Sequence, residues 1–351
     1  MEAIKVVLCG VGAVGELTAR FLLKRKGVKI VGAIDVAEDK VGKDLGVLLG
    51  LKKKMGIIVS NVDSVLSNVE VDVVIHATTS YLRETYPQIA SIVKHHVNVI
   101  STCEELSCPY YSEPKLAEKL DVLAKKHGVT VLGTGVNPGF LMDTLVINLT
   151  AVCQKIEKIE AVRVVDAATR RLSFQKKIGA GLTVDEFKNK IACNQITGHV
   201  GLENSIAMIA DALSWKLEGI KADEVQPVIA KEPVKNSVIK VETGKVVGLR
   251  QKARGFMEGR EVILLDFQAY MGAKEEYDAI TIQGIPPIKQ KIQPCIHGDI
   301  GTVAILVNSI PKVLKAPAGL LTMKDMPVPS AALEDLRTHI SANKITSRAS
   351  S

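Results

Sequence analysis

The chain has 351 residues, 47% hydrophobic and 24% charged, which is larger than one hydrophobic core usually supports and excludes disordered and collagen-like classes. Forty-five Lys and Arg against 38 Asp and Glu give a net charge of +7, spread in short clusters such as residues 24–26 and 52–54. With aromatic residues at 4% there is no run of basic residues interleaved with stacking rings, and no apolar run approaches the ~20 residues of a membrane helix, so neither nucleic acid nor bilayer is an expected partner.

The N-terminus, Met1-Glu2-Ala3-Ile4-Lys5, enters a strand at once, without the segments of a secretory signal, and a cytoplasmic location is expected. The six cysteines contain no C-x-x-C pair, which predicts reduced thiols and no metal site. Up to about residue 135, apolar runs at 4–9, 29–35, 57–59, 71–77, 98–101 and 129–132 read as buried strands. Residues 14–24, 62–66, 83–95 and 113–127 have apolar positions at three- and four-residue spacings and read as helices between them. Such alternation predicts an α/β unit with a doubly wound parallel sheet, the Rossmann arrangement.

Beyond Asn137-Pro138-Gly139 the pattern changes. A helix over 142–153 precedes long strands over 156–166, 245–256 and 261–271, the last two joined at Glu258-Gly259. Thr183 and Glu186 form a capping-box signature, and residues 199–215 show helical spacing. This predicts a second, α+β domain with a mainly antiparallel sheet. A helix over 299–314 is expected to return to the first domain, and the polar, small-residue tail from Ile340 onwards to fray. The expected boundaries are 1–137 plus about 299–351 for the dinucleotide-binding domain, and 138–298 for a substrate-binding and dimerisation domain. The run Val262-Ile263-Leu264-Leu265 would be apolar on both faces of its strand, which predicts a homodimer through the second domain.

The clearest motif is Gly10-Val11-Gly12-Ala13-Val14-Gly15 directly after the first strand, with Asp35 twenty residues past the last glycine. Gly10 permits a tight turn, Gly12 lets a pyrophosphate approach the backbone, and Gly15 lets helix and strand pack closely, while Ala13 and Val14 open a helix whose N-terminus faces the anion. Asp35 would accept hydrogen bonds from a ribose and disfavour a 2′-phosphate, whereas Lys40 or Lys43 nearby would soften that preference, so NAD and NADP both stay open. In a doubly wound sheet ligands sit beyond the carboxyl ends of the strands. That edge receives Ala77, Thr78 and Thr79 from the fourth strand and Glu104 and Glu105 from the fifth. Consecutive side chains diverge, so one of the two glutamates is expected to act as a general acid/base. Asn137 and Phe140 mark the crossover, where they would be hinge or pocket wall. Arg170 or Arg171, read as consecutive residues of a strand, suits a bidentate carboxylate contact, with Lys176 or Lys177 as substitutes. His199, at the start of a helix, is a candidate substrate contact or a buried structural histidine.

Together, Gly10 to Gly15, Ser101-Thr102-Cys103-Glu104-Glu105-Leu106, Gly133-Thr134-Gly135-Val136-Asn137-Pro138-Gly139-Phe140, Asp166 through Arg170 and Arg171 to Gly181, Gly198-His199-Val200-Gly201 and Ala316-Pro317-Ala318-Gly319-Leu320 make the chain resemble the 2,4-diaminopentanoate dehydrogenase family over nearly its whole length. That family is related to amine dehydrogenases and, more distantly, to dihydrodipicolinate reductase. The resemblance implies NAD(P)-dependent oxidative deamination of a diamino acid in a cleft between the domains, as in ornithine degradation. It also implies an acid/base at Glu104, with Glu105 as fallback, and His199 near the substrate. The competing expectations are an amine dehydrogenase acting on simple ketones or aldehydes and a catalytically silent NAD(P)-binding sensor.

Overall fold

The computed structural model describes residues 2–341; the expected fraying of the tail falls on residues that, from 342 onwards, lie outside the described ones. The chain divides into two compact units, residues 1–139 with 298–351, and residues 140–297.

In the first unit the elements run β1 (Ile4–Cys9), α1 (Ala13–Leu22), β2 (Val28–Ile34), α2 (Leu45–Leu48), β3 (Val59–Ser60), α3 (Val62–Leu66), β4 (Val73–His76), α4 (Leu82–Lys94), β5 (Asn98–Ser101), α5 (Pro109–Ser112), α6 (Pro114–His127) and β6 (Thr130–Gly133). The second unit contributes α7 (Thr144–Thr150), β7 (Lys155–Asp166), α8 (Leu172–Lys177), α9 (Val184–Ala192), α10 (Leu202–Ala212), β8 (Gly219–Ala222), β9 (Gln226–Ile229), β10 (Val234–Lys235), β11 (Lys240–Val241), β12 (Val246–Met257), β13 (Arg260–Tyr270), β14 (Tyr277–Ile285) and β15 (Ile288–Ile292). The chain then rejoins the first unit as α11 (Gly298–Val313), β16 (Gly319–Leu321) and α12 (Thr338–Ser341).

The first sheet is parallel throughout, in the order β16-β6-β5-β4-β1-β2-β3. Its strands are short and apolar because both faces are covered: β4 and β6 are buried at every position. Val7, Val74, Val99 and Val131 pack with Ile89, Ile92, Leu106 and Leu120 in one continuous core. Strand order reverses between β1 and β4, whose ends pair Cys9 with His76, so the ligand-binding edge of such a sheet falls at Gly10 and Ala77.

The second unit is built on a sheet ordered β15-β14-β7-β13-β12-β8, with β9 also on β12. It is antiparallel except that β7 and β13 run parallel, Ile159 opposite Ile263 and Asp166 opposite Tyr270. The β12–β13 hairpin turns at Glu258 (φ 52°) and Gly259 (φ 71°), a pair of left-handed residues that matches strand twist. One face buries Ile263, Leu265 and Ala253 under α10. Register puts Val262 and Leu264 on the opposite face; Val262 is already buried within one chain, and Leu264 is half-buried. The Thr183–Glu186 capping box opens α9 with both reciprocal bonds made.

Two local expectations are corrected. Arg170 and Arg171 are not on a strand: the Asp166 carboxylate accepts the Ala168 N–H and turns the chain into a 3-10 turn (Ala167–Thr169), after which Arg171 occupies the N-cap position of α8. His199 does not open its helix, because the N-cap is Gly201 at φ 98° and α10 starts at Leu202.

Candidate active site

Every candidate of the first unit lies at the carboxyl edge of the parallel sheet. After β1 the chain must reverse within a few residues, and Gly10 does this at φ 92° while touching the end of β4: a Cβ there would sit 2.2 Å from the Ala77 carbonyl oxygen and 3.1 Å from Thr78 Cγ2. A Cβ on Gly15 would lie 1.9 Å from the Gly10 carbonyl oxygen, so α1 packs against the turn only because residue 15 has no side chain. At Gly12, the N-cap of α1, a Cβ would meet nothing within 4 Å. Two glycines are thus required by packing within the protein, while the space beside the third is open. A pyrophosphate at the helix N-terminus fits that space, with Ala13 and Val14 supplying the first helical N–H groups.

Asp35 follows β2. Its carboxylate accepts the N–H groups of Val11 (2.7 Å), Val36 (2.8 Å) and Ala37 (2.9 Å), and Lys40 Nζ lies 3.1 Å away. Burial pushes this carboxyl up, but the backbone donors and Lys40 outweigh it and hold it below the usual Asp range. An ionised, half-neutralised Asp35 tied to the glycine turn is suited to a ribose diol. Asn137 is on the loop after β6 at the same edge, where Val136 N–H donates to Thr302 Oγ1 (3.3 Å).

Beyond β5 the chain forms a 3-10 turn, Glu104–Ser107. Glu105 Oε2 accepts the Leu82 N–H at 2.7 Å and so caps α4, which has no cap of its own from Tyr81. Burial raises the Glu105 carboxyl above its usual value, with the Leu82 bond acting in the opposite sense. The backbone of the turn is held from two sides: Glu105 N–H donates to the Ser80 carbonyl (3.2 Å) and the Glu104 carbonyl accepts Ser107 Oγ (2.7 Å).

Beneath this turn is a buried polar chain whose importance the sequence did not reveal. Cys103 N–H donates to Ser101 Oγ (3.1 Å), Ser101 Oγ meets His76 Nδ1 (2.9 Å), and His76 Nε2 meets Gln88 Oε1 (2.9 Å), with Thr78 Oγ1 at 3.2 Å. His76 and Ser101 are fully buried, and burial pulls the imidazole down to about 4, so it is neutral at pH 7. A lone histidine closing an apolar strand was the one available signal.

In the second unit, Arg170 is buried, with its guanidinium 4.8 Å over the Phe174 ring and its carbonyl accepting Gln175 Nε2 (2.7 Å). Arg171 is exposed and donates from Nε to Ser173 Oγ (3.0 Å). Lys176 and Lys177 close the last turn of α8. The His199 ring stacks on Phe267 at 4.3 Å, and the His199 backbone N–H donates to Gln251 Oε1 (2.8 Å). Burial, then the charges of Arg163 and Lys177, pull this imidazole down to about 3. Arg163, beside Phe267 in the register, is buried in an ion pair with Asp278 and donates to the Ile296 carbonyl. Phe140 is half-buried, and its carbonyl accepts the Leu145 N–H (2.8 Å). The structure therefore gathers His199, Phe267 and Arg163 on one sheet face, buries Arg170 and leaves Arg171 to solvent.

Residues 140–342 match the model of the 2,4-diaminopentanoate dehydrogenase C-terminal domain, and residues 4–105 match that of the dihydrodipicolinate reductase N-terminus. The chain is 36% identical to a 2,4-diaminopentanoate dehydrogenase of Acetoanaerobium sticklandii, over 97% of this chain and 98% of that protein. A solved amine dehydrogenase of Mycobacterium smegmatis superposes with a TM-score of 0.81 at 27% identity, covering 93% of this chain and 97% of that one. The dihydrodipicolinate reductase of Paenisporosarcina sp. TG-14 shares the fold, with a TM-score of 0.53 at 11% identity over 92% and 98% of the two chains. The match of residues 140–342 to that C-terminal domain and the 36% identity over 97% of the chain converge: the chain belongs to the 2,4-diaminopentanoate dehydrogenase family.

Proposed function

We propose that the protein catalyses the reversible, NAD(P)-dependent oxidative deamination of 2,4-diaminopentanoate to 2-amino-4-oxopentanoate and ammonia, a step of ornithine degradation. The observation that supports the catalytic assignment is the capping bond from Leu82 to Glu105, which engages that carboxylate at α4 and favours Glu104 as the acid/base of the pair. Gly10, Gly12, Ala13, Val14 and Gly15 would hold the pyrophosphate, Asp35 the adenosine ribose, and Ala77, Thr78, Thr79 and Asn137 the remaining cofactor surface. The Asp35–Lys40 pair supports use of both NAD and NADP, since Lys40 offsets the charge that would repel a 2′-phosphate.

When bound, the nicotinamide supplies the hydride acceptor. Glu104 takes a proton from the C4 ammonium, which leaves the lone pair needed to expel hydride from that carbon. It releases that proton to solvent, and the regenerated carboxylate stabilises the cationic iminium and takes a proton from the water that attacks C4. That proton passes to the amino group, which leaves as ammonia while the hydroxyl gives its proton to the carboxylate and the ketone forms. Arg170, stacked on Phe174, is the candidate for the substrate carboxylate, with Lys177 as the other cation and Phe140 and His199 as further contacts.

A second reading, reductive amination of simple ketones or aldehydes, is favoured by the likeness to the Mycobacterium smegmatis amine dehydrogenase. Initial rates of NAD(P)H formation with 2,4-diaminopentanoate beside a carboxylate-free amine decide between them. Turnover confined to the diamino acid supports the first, and equal or faster turnover of the simple amine supports the second.

Homodimerisation belongs to the same proposal. On the sheet face away from α10, half-exposed Val162, Leu264, Ala279 and Thr281 are framed by the ion pairs of Lys158, Glu261, Arg254 and Asp266, a surface suited to a second copy. Light scattering is expected to give twice 37.8 kDa. We also place the protein in the cytoplasm, in keeping with the absence of any disulfide among its described cysteines.

A further inference from the structure

We propose that His76 is a positioning residue for Glu104, acting through the hydroxyl of Ser101 on the backbone N–H of Cys103. The inference rests on the acid/base role given to Glu104 above.

The direction of every bond in the chain is fixed by its ends. Gln88 Nε2 donates to the Glu84 carbonyl (3.3 Å), which turns Gln88 Oε1, an acceptor only, toward the imidazole. His76 Nε2 therefore carries the proton. The buried neutral ring has no other N–H, so Nδ1 accepts, and the Ser101 hydroxyl must donate to it. With its one proton so placed, Ser101 Oγ presents lone pairs to Cys103 N–H, the residue immediately before Glu104. The polarity runs from the start of the glutamate turn to helix α4, and no member can be reversed without leaving a buried donor facing a donor.

Backbone bonds also tie the approach to the turn to its neighbouring strands. The His76 carbonyl accepts the Thr102 N–H (3.0 Å), Thr78 Oγ1 touches Nε2, and the Thr134 N–H donates to the Ser101 carbonyl (2.9 Å). Cys103 is itself pinned, Sγ donating to the Ser80 carbonyl (3.2 Å) and accepting from Thr85 Oγ1 (3.4 Å). Glu104 is therefore carried on a backbone whose orientation is set by groups that never touch substrate. An acid/base misplaced by a fraction of an ångström loses rate steeply while cofactor affinity is untouched.

The test compares His76→Asn with His76→Gln. An Asn amide places its oxygen where Nδ1 stands and keeps the Ser101 bond, whereas a Gln amide reaches Gln88 and loses it. Ser101→Ala and Ser101→Thr remove and retain the hydroxyl. Steady-state kinetics with 2,4-diaminopentanoate, NAD(P)H affinity by fluorescence titration and thermal melting are measured on each. The expected result is kcat at least fivefold lower in His76→Gln than in His76→Asn. Ser101→Ala should fall about tenfold and Ser101→Thr stay within about threefold of the parent, with NAD(P)H affinity within twofold throughout. Equal kcat in the Asn and Gln variants, or in Ser101→Ala and the parent, overturns the inference and leaves the deaminase reading standing. An unmodified protein that oxidises no amine overturns both. Variants that differ in melting temperature but not in kcat per NAD(P)H-binding site assign the chain to folding alone and also overturn the inference.

Discussion

Replacing the two adjacent glutamates one at a time should give opposite phenotypes. Glu105 caps α4 through a 2.7 Å bond to Leu82 N–H, and Leu82 is fully buried, so no water can substitute. Loss of an N-cap costs about 1–2 kcal/mol, and in a unit of this size each kcal/mol moves the melting temperature by about 2–4 °C. Glu105→Ala is therefore expected to melt about 2–8 °C lower. Glu105→Gln should lie at the low end, since Oε1 can still accept and the neutral amide escapes the desolvation that raises the Glu105 carboxyl. Turnover per folded molecule should change less than about threefold in both. Glu104→Gln conserves shape but cannot take a proton, and general acid/base catalysis contributes roughly 10²–10⁴-fold. We expect kcat to fall by that range with melting temperature unchanged. The assay is NAD(P)H formation alongside thermal melting. Glu104→Gln with near-normal kcat, or Glu105→Gln with the larger loss, would refute the assignment.

Gly12→Ala should fold normally yet weaken NAD(P)H binding at least tenfold by fluorescence titration, because the added methyl occupies space that no protein atom uses; Gly10→Ala should fail to yield folded protein, its methyl falling 2.2 Å from the Ala77 oxygen. Lys40→Ala removes the cation 3.1 Å from Asp35 and should lower the NADP-to-NAD ratio of kcat/KM about tenfold, worth about 1.4 kcal/mol; a raised ratio would count against the ribose assignment. His76 couples stability to pH. Its value falls from 6.5 to about 4 on folding, so below 6.5 the unfolded chain takes up a proton that the folded one refuses, and stability drops as pH falls from 6.5 toward 4 by up to about 3 kcal/mol. In denaturant titrations, the gap between the parent and His76→Asn should narrow by about that amount over this window, and a constant gap would exclude the titration.

What could be read from sequence was what local chemistry dictates. The glycine turn announces itself because Gly10 needs a positive φ and Gly15 a missing side chain, and Asp35 follows at the spacing of one βαβ turn. Strands β1, β4 and β6 are continuous apolar runs since both sheet faces are covered. Two of the failures were non-local, and one was a local turn. Nothing adjacent to β7 tells it to pair parallel with β13, a hundred residues away in sequence. Arg170 and Arg171 looked like an extension of an apolar strand, whereas the Asp166 carboxylate, by accepting the Ala168 N–H, ends it. The His76 chain was invisible for a similar reason: His76, Gln88 and Ser101 come from β4, α4 and β5, and only parallel pairing of His76 with Ser101 sets their side chains at bonding distance.

The first sheet has a consequence for how the protein is made. β16 borders β6, every residue of which is buried, yet the 185 residues from 134 to 318 intervene between the two strands. At ribosomal rates of about 5–20 residues per second, the β6 edge waits roughly 10–40 s for its neighbour. During that interval α11, which packs on α1, β5 and β6, is also missing. The nascent chain thus presents an open parallel edge and an uncovered apolar layer while the whole second unit is synthesised, the kind of surface prone to edge-to-edge pairing until its last segment emerges.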